Sequence, residues 1–209
     1  MSFVRHQIKK RLQAALRVVA DWSFFTGAVL IGGFGTAWYM IDTGSALTTA
    51  KVGPWVMWRT AGLVEADPYT RAHFSRLGVL PIGSDVAETY FARTDDDGRQ
   101  LHSSCDYVVE GLSPPSSWWS VTVFDADGRL IANPAERTSY TSETAAILPN
   151  GRFSIALARS ANPGNWLPTG GAGRLSVVLT RMSWAVATGT GDEQSSGPDL
   201  PKIVRKACR

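Results

Sequence analysis

Pro149-Asn150-Gly151-Arg152-Phe153-Ser154-Ile155-Ala156-Leu157-Ala158-Arg159 is the stretch that decides the fold class. Asn-Gly between the runs Ala145–Leu148 and Arg152–Arg159 is a hairpin signal, because the tight turn needs residues that tolerate positive φ. Side chains on a strand alternate between faces, so Phe153, Ile155 and Leu157 share one apolar face. The run Arg174–Trp184 repeats the pattern with Leu175, Val177 and Leu179. Working outward, Trp118–Phe124 runs into the turn Asp125-Ala126-Asp127-Gly128. Val86–Ala92 precedes Asp95-Asp96-Asp97-Gly98, and Leu101–Glu110 follows it. Short strands punctuated by Gly, Asn and Asp every 10–20 residues predict an antiparallel sandwich or barrel. One short helix interrupts the pattern at Asp67–Gly78. Asp67 is placed to cap it, Pro68 stands at its first position, and Gly78 can take the left-handed closing conformation. The tail Gly189–Pro201 reads as irregular.

Before the strands, residues Trp22–Ile41 carry no charge over twenty positions. A helix rises 1.5 Å per residue, so such a run covers about 30 Å, the thickness of a bilayer's hydrocarbon core. Trp22 at one end and Trp38 and Tyr39 at the other stand where interfacial aromatics collect. The expected organisation is a basic tail at 1–21, a membrane helix at 22–41, a linker at 42–52 and an exported β domain at 53–209. Arg5, Lys9, Lys10, Arg11 and Arg17 all precede the apolar run, so the positive-inside rule keeps the N-terminus in the cytoplasm and the domain in the periplasm of an inner membrane. A cleaved signal peptide competes with this reading through the small residues Gly44-Ser45-Ala46. Its core is usually shorter and lacks bulky aromatics at the far end.

The chain has 21 Lys and Arg against 18 Asp and Glu, but the excess lies in the first 42 residues, and the remainder is formally neutral. A nucleic-acid partner is therefore not expected. Expected partners are the lipid bilayer and an envelope glycan or protein.

Several segments resemble one family, the domain of unknown function numbered 1214. They are Trp55-x-x-Trp58 with Gly62; Ala66-Asp67-Pro68-Tyr69-Thr70-Arg71-Ala72; Gly78-x-Leu80-Pro81; Glu88-x-Tyr90-Phe91 with Ala92; Cys105-Asp106-Tyr107 with Gly111; Trp118-Trp119-Ser120; Asn133-Pro134 with Arg137; Gly164-Asn165-Trp166-Leu167-Pro168; and Leu200-Pro201-x-Ile203 with Cys208. The resemblance implies a jelly-roll-like antiparallel β-sandwich. Members often carry a second, similar domain, and here an anchor takes its place, as in a short membrane-anchored branch. The family's last strand ends Leu-Arg-x-Tyr, whereas this chain has Leu179-Thr180-Arg181-Met182. The resemblance brings no catalytic residues.

His73, His102, Cys105 and Cys208 have no tight ligand spacing, so neither a metal nor a cofactor is expected, and the Asp95–Gly98 cluster reads as a solvated turn. No nucleophile elbow or phosphate loop is present. Arg159 and Arg181 each end an otherwise apolar face. Such an arginine emerges at the rim, pairs with Asp67 or Glu88, or lines a cleft. The expected ligand-binding set is Asp67, Tyr69, Arg71, Trp118, Trp119, Asn133, Arg137, Arg159, Asn165, Trp166 and Arg181, with Trp and Arg suited to sugars and carboxylates. Two classes stay open: a non-catalytic module binding a glycan, lipid or protein, and a carboxylate-dependent hydrolase of carbohydrate or ester substrates drawing on Asp67, Glu88, Asp106 and Asp125. The two cysteines form a disulfide if the domain lies in an oxidising compartment. Otherwise Cys105 is a small core residue and Cys208 a thiol on a frayed end.

Overall fold

The computed structural model describes residues 2–114, 116, 118–182 and 199–209. It divides into two units, Met1–Gly44 and Ser45–Arg209. The first unit is one helix, α1 (Ser2–Thr43), so the basic tail is helical as well. From Ala15 to Thr43 it is long and apolar enough to cross a membrane or serve as a signal anchor. Phe24, Ile31 and Phe34 are exposed along it, and the Thr36 and Thr43 hydroxyls donate back to Gly32 and Tyr39 carbonyls at 2.8 Å. That internal bonding leaves no hydroxyl hydrogen of these two threonines unmet in an apolar solvent.

The second unit is a mainly β, sandwich-like fold. A six-stranded sheet runs β1 (Thr49–Val52), β2 (Trp55–Trp58), β3 (Ala87–Ala92), β9 (Ser176–Met182), β5 (Trp119–Phe124), β6 (Ser139–Thr141). A four-stranded sheet runs β10 (Lys202–Cys208), β4 (Cys105–Leu112), β7 (Arg152–Ala158), β8 (Asn165–Pro168). All neighbours are antiparallel except β7 and β8. The last four residues of the expected linker form strand β1, paired with β2 from Thr49↔Trp58 to Val52↔Trp55. Its alternation is too short to stand out from linker composition. Helix α2 (Pro68–Leu77) has the expected caps: the Asp67 carboxylate accepts from the Tyr69 and Thr70 N–H groups, and Gly78 closes it at φ 65°. The predicted irregular tail falls at 189–198 outside the described residues, as do the last two positions of the Arg174–Trp184 run. Residues 202–208 form β10.

Both hairpin signals are realised only as single bridges, Phe124↔Leu130 and Ile147↔Phe153. Burial overrides them. β5 finds its ladders with β9 and β6, where Val121 and Val123 pack inward, and the 125–128 turn serves only to reverse the chain.

Alternation fills the core as read. Phe153, Ile155 and Leu157 of β7, Leu175 and the β9 residues Val177 and Leu179 are at most 2% exposed. Trp119 stacks on Phe153 with ring centroids 4.8 Å apart. Two ion pairs border this core. In the six-stranded sheet, the register places Glu88, Arg181 and Trp119 side by side. Arg181 Nε donates to Glu88 Oε2 at 2.6 Å, and the guanidinium lies 5.6 Å from the Tyr90 ring centroid. The Tyr90 hydroxyl donates to the same carboxylate at 2.9 Å. In the other sheet Arg205 Nε donates to Asp95 Oδ2 at 2.8 Å, with Asp95 only 2% exposed. The Asp95–Gly98 turn is thus not a merely solvated one, because its first carboxylate is buried against β10. Asp96 accepts from the Ile203 N–H.

Cys105 and Cys208 face each other across β4 and β10 and form a disulfide closing a separation of 103 residues. Chain entropy assigns such a loop roughly 4–5 kcal/mol. Cys208→Ala should lower the unfolding free energy toward that amount while keeping β10 paired. Thiol labelling of the unreduced, denatured wild type should find no reactive thiol, and two would sink the assignment. Arg181→Met strands the half-buried Glu88 and should cost about 2–4 kcal/mol in denaturant unfolding. Adding Glu88→Leu should recover most of it. Equal losses in the single and double variants would mean that the pair is not coupled.

Candidate functional site

The expected ligand set separates into three places. The first is the start of α2. Burial, the largest influence on the Asp67 carboxyl, pushes its pKa up. Hydrogen bonds from the Thr70 hydroxyl and N–H, the Thr60 hydroxyl and the Tyr69 N–H together outweigh burial and hold it below the ordinary value. The Thr70 hydroxyl lies 2.5 Å away and the Thr60 hydroxyl 3.2 Å. Both oxygens are thus engaged. Arg71 donates to the Val64 carbonyl at 2.6 Å, and Tyr69 is half-buried. This group organises a helix and a loop.

The second place is the Glu88–Arg181 pair. Trp119, fully buried, donates from Nε1 to the Ser113 hydroxyl at 2.9 Å. Trp118 is half-buried and its carbonyl accepts from the Met182 N–H. Burial, the leading cause, raises the Tyr90 phenol above its ordinary pKa; Arg181 opposes this and Glu88 adds to it. Tyr90 therefore stays neutral and acts as a donor. Arg159 lies just past the end of β7 and is exposed, at the rim rather than in a cleft.

The third place brings together Asn133, Arg137, Asn165 and Trp166, with Tyr140, which the sequence reading did not single out. It lies where β6 and β8, the last strands of their two sheets, approach each other. The Tyr140 hydroxyl accepts from the Trp166 N–H at 3.1 Å, joining one sheet to the other. Trp166 Nε1 donates to the Ala158 carbonyl at 3.0 Å, which fixes its ring. Asn165 is buried. Its oxygen accepts from the Ala146 N–H, and its nitrogen donates to the Ala146 and Ser154 carbonyls at 2.8–3.0 Å. The side chain thereby ties an irregular segment to β7 and has no hydrogen left for a ligand.

Asn133 ties its own loop in the same way. Its nitrogen donates to the Ile131 and Arg137 carbonyls, and its oxygen accepts from the Arg137 N–H. Glu136 within this loop takes φ 49°, an unusual conformation for a residue other than glycine. The outcome is the placement of Arg137. Its guanidinium lies 5.7 Å from the Tyr140 ring centroid and 6.0 Å from that of Trp166. Among the described residues no carboxylate pairs with it. An exposed guanidinium held against two aromatic faces keeps donors free for a carboxylate or phosphate.

The carboxylates considered for hydrolysis are engaged elsewhere. Asp67 caps α2 and Glu88 pairs with Arg181. Asp106 lies 3.9 Å from Arg209, and Asp125 accepts from the Asp127 and Arg129 N–H groups. Among the described residues no three His, Cys, Asp or Glu side chains gather as metal ligands.

No curated protein matches the chain. The crystal structure of the VPA0106 protein from Vibrio parahaemolyticus is similar at 23% identity and a TM-score of 0.53, over 69% of this chain and 37% of that one. An uncharacterised protein from Burkholderia cenocepacia is similar at 18% identity and a TM-score of 0.42, over 59% of this chain and 30% of that one. The chain thus spans well under half the length of the solved structures it matches, and the first of them supports the fold alone. The family model described as "Protein of unknown function (DUF1214)" matches residues 87–184, from the start of β3 to just past β9. Over residues 87–184, from β3 to β9, the chain thus resembles that family.

Proposed function

We propose that the protein is a membrane-anchored, non-catalytic module of the cell envelope, which binds acidic glycans at the Arg137–Tyr140–Trp166 platform. The carrying observation is the exposed guanidinium of Arg137, oriented by two rings and by the Asn133-tied loop, without a carboxylate partner among the described residues. A uronate carboxylate would be bound by the guanidinium fork, while the edge of Trp166 offers an apolar surface to the sugar ring. The formally neutral domain supports contact recognition rather than long-range steering.

Two observations support export. The basic residues precede the apolar helix. The Cys105–Cys208 disulfide fits an oxidising compartment such as the periplasm, with the N-terminus on the cytoplasmic side.

Uronic-acid oligosaccharides should bind the chain in calorimetry, and their methyl esters should not. Arg137→Ala should weaken binding by roughly 10- to 100-fold, since a hydrogen bond to a charged group contributes about 1.5–3 kcal/mol and about 1.4 kcal/mol is tenfold. Equal affinity for acid and ester would reject the platform reading. Alkaline carbonate should leave the chain in the membrane pellet with its N-terminal helix intact. A mature protein beginning near Leu47 would reject the anchor.

A further inference from the structure

The turn before β1, the loop joining β2 to α2 and the segment joining α2 to β3 carry an apolar rim that none of the interactions above uses. Leu80 is 96% exposed, Val64 91%, Leu47 85% and Ile82 59%, and Val79 is more than half exposed. Apolar side chains scattered singly on a surface need no explanation, but a group of this size at one edge marks a contact. Two grooves border the Val79–Ile82 segment. One of about 580 Å³ is lined by Leu63, Ala66, Phe74 and Pro81. Another of about 170 Å³ is lined by Trp58, Ile82 and Phe91. Gly62 keeps the segment in place: a Cβ on it would stand 2.7 Å from the Gly83 nitrogen, and its φ is +71°.

Hydrogen bonds place this rim close to where the chain enters the domain. The Arg59 N–H donates to the Thr48 carbonyl at 3.0 Å. The Ser84 hydroxyl donates to the Arg59 carbonyl at 2.8 Å, and the Ser84 N–H to the Ala61 carbonyl at 2.9 Å. Ser84 thus lies two hydrogen bonds from Thr48, five residues beyond the end of α1. Five residues reach at most about 18 Å when fully extended.

We infer that this edge, centred on Leu80, is a membrane-contact rim that seats the domain on the bilayer surface that α1 crosses. The inference rests on the anchor reading. A helix that crosses the bilayer, joined by so short a tether, holds the entry edge of the domain within reach of the headgroups. Exposed aliphatic side chains there gain by entering the headgroup–acyl boundary. Charge adds little: residues 45–86 carry Lys51, Arg59, Arg71 and Arg76 against Glu65, Asp67 and Asp85. The contact should therefore form on zwitterionic lipid.

The test uses the full chain reconstituted in phosphatidylcholine vesicles. Its native cysteines are paired, so Leu80→Cys supplies one thiol for an environment-sensitive fluorophore. Asn150→Cys, in an exposed turn beside β7 of the other sheet, is the control. The label at 80 should emit to the blue and lose intensity to doxyl-labelled phosphatidylcholine, while the label at 150 does neither. Val79→Asp with Ile82→Asp should abolish the blue shift at 80 and leave carbonate retention unchanged. A retained chain whose two labels behave alike overturns the rim but not the anchor. A blue shift that tracks protein-to-lipid ratio without doxyl quenching assigns the edge to a second copy and also overturns it. A chain released by carbonate overturns both readings.

Discussion

The sheet domain depends on how its last strand is held. β10 is an edge strand in a sheet of four, paired on one side only, so its other side must be held by side chains. Each tie exploits a polar group whose burial would be costly if left unmet. Asp95 is buried and accepts from Arg205, and the Asp96 carboxylate takes the Ile203 N–H. Trp55, in the opposite sheet, donates from Nε1 to the Pro201 carbonyl at 2.7 Å. The disulfide adds a covalent tie at Cys208. With β10 in place, Ile203 lies fully buried between the sheets. Without it, Tyr107 and Val109 of β4 would lose a neighbouring wall. The Asp95 turn thus couples the end of β3 to the end of the chain, 110 residues away.

These ties also explain which parts of the fold are legible in the sequence. Strands β4, β5, β7 and β9 are legible because burial on two packed sheets imposes period 2: β4, β5 and β7 each carry three buried residues of consistent parity, and β9 carries two, preceded by Leu175 in the same phase. β10 is not, because Lys202, Arg205 and Lys206 break its pattern and a register shift falls between Arg205 and Ala207. β8 has four residues and pairs in parallel with its predecessor, so its alternation is too short to show, although Asn162-Pro163-Gly164 marks the turn before it. The Asn-Gly and Asp-Gly turns are real, but a turn signal reports only that the chain reverses. Which strand then pairs is decided by core burial hundreds of atoms away.

The same distinction runs through the site residues. Arg181 is legible because parity puts a charge on an apolar face, and Glu88 is among the few carboxylates able to meet it. Arg205 follows the same logic, but its strand gives no parity to violate. Asn165 has the composition of a binding residue and the role of a backbone surrogate. Only the positions of the Ala146 and Ser154 groups distinguish the two, and those positions are tertiary. Tyr140 escapes the reading for a related reason: its hydroxyl matters because β8 approaches it from the other sheet.

Among the described residues of the β domain, the arginines that lie over aromatic rings take two physical states. Arg181 and Arg205 are largely buried, each against one carboxylate and one aromatic face, and their charge is spent within the fold. Arg137 keeps the aromatic faces but has no carboxylate among the described residues. A flexible surface arginine loses rotamer freedom when it binds an anion, at a cost of order 1–2 kcal/mol. Stacking on Tyr140 and Trp166, with a loop fixed through Asn133, meets part of that cost before any ligand arrives. The rings contribute in a second way. They exclude water from one side of the guanidinium, which strengthens attraction to an anion on the other side. Selection among anions then falls to shape. On the proposed reading, the fork geometry suits planar carboxylates and phosphates alike, and the half-buried Trp166 ring beside it favours a ligand that carries its charge on a ring.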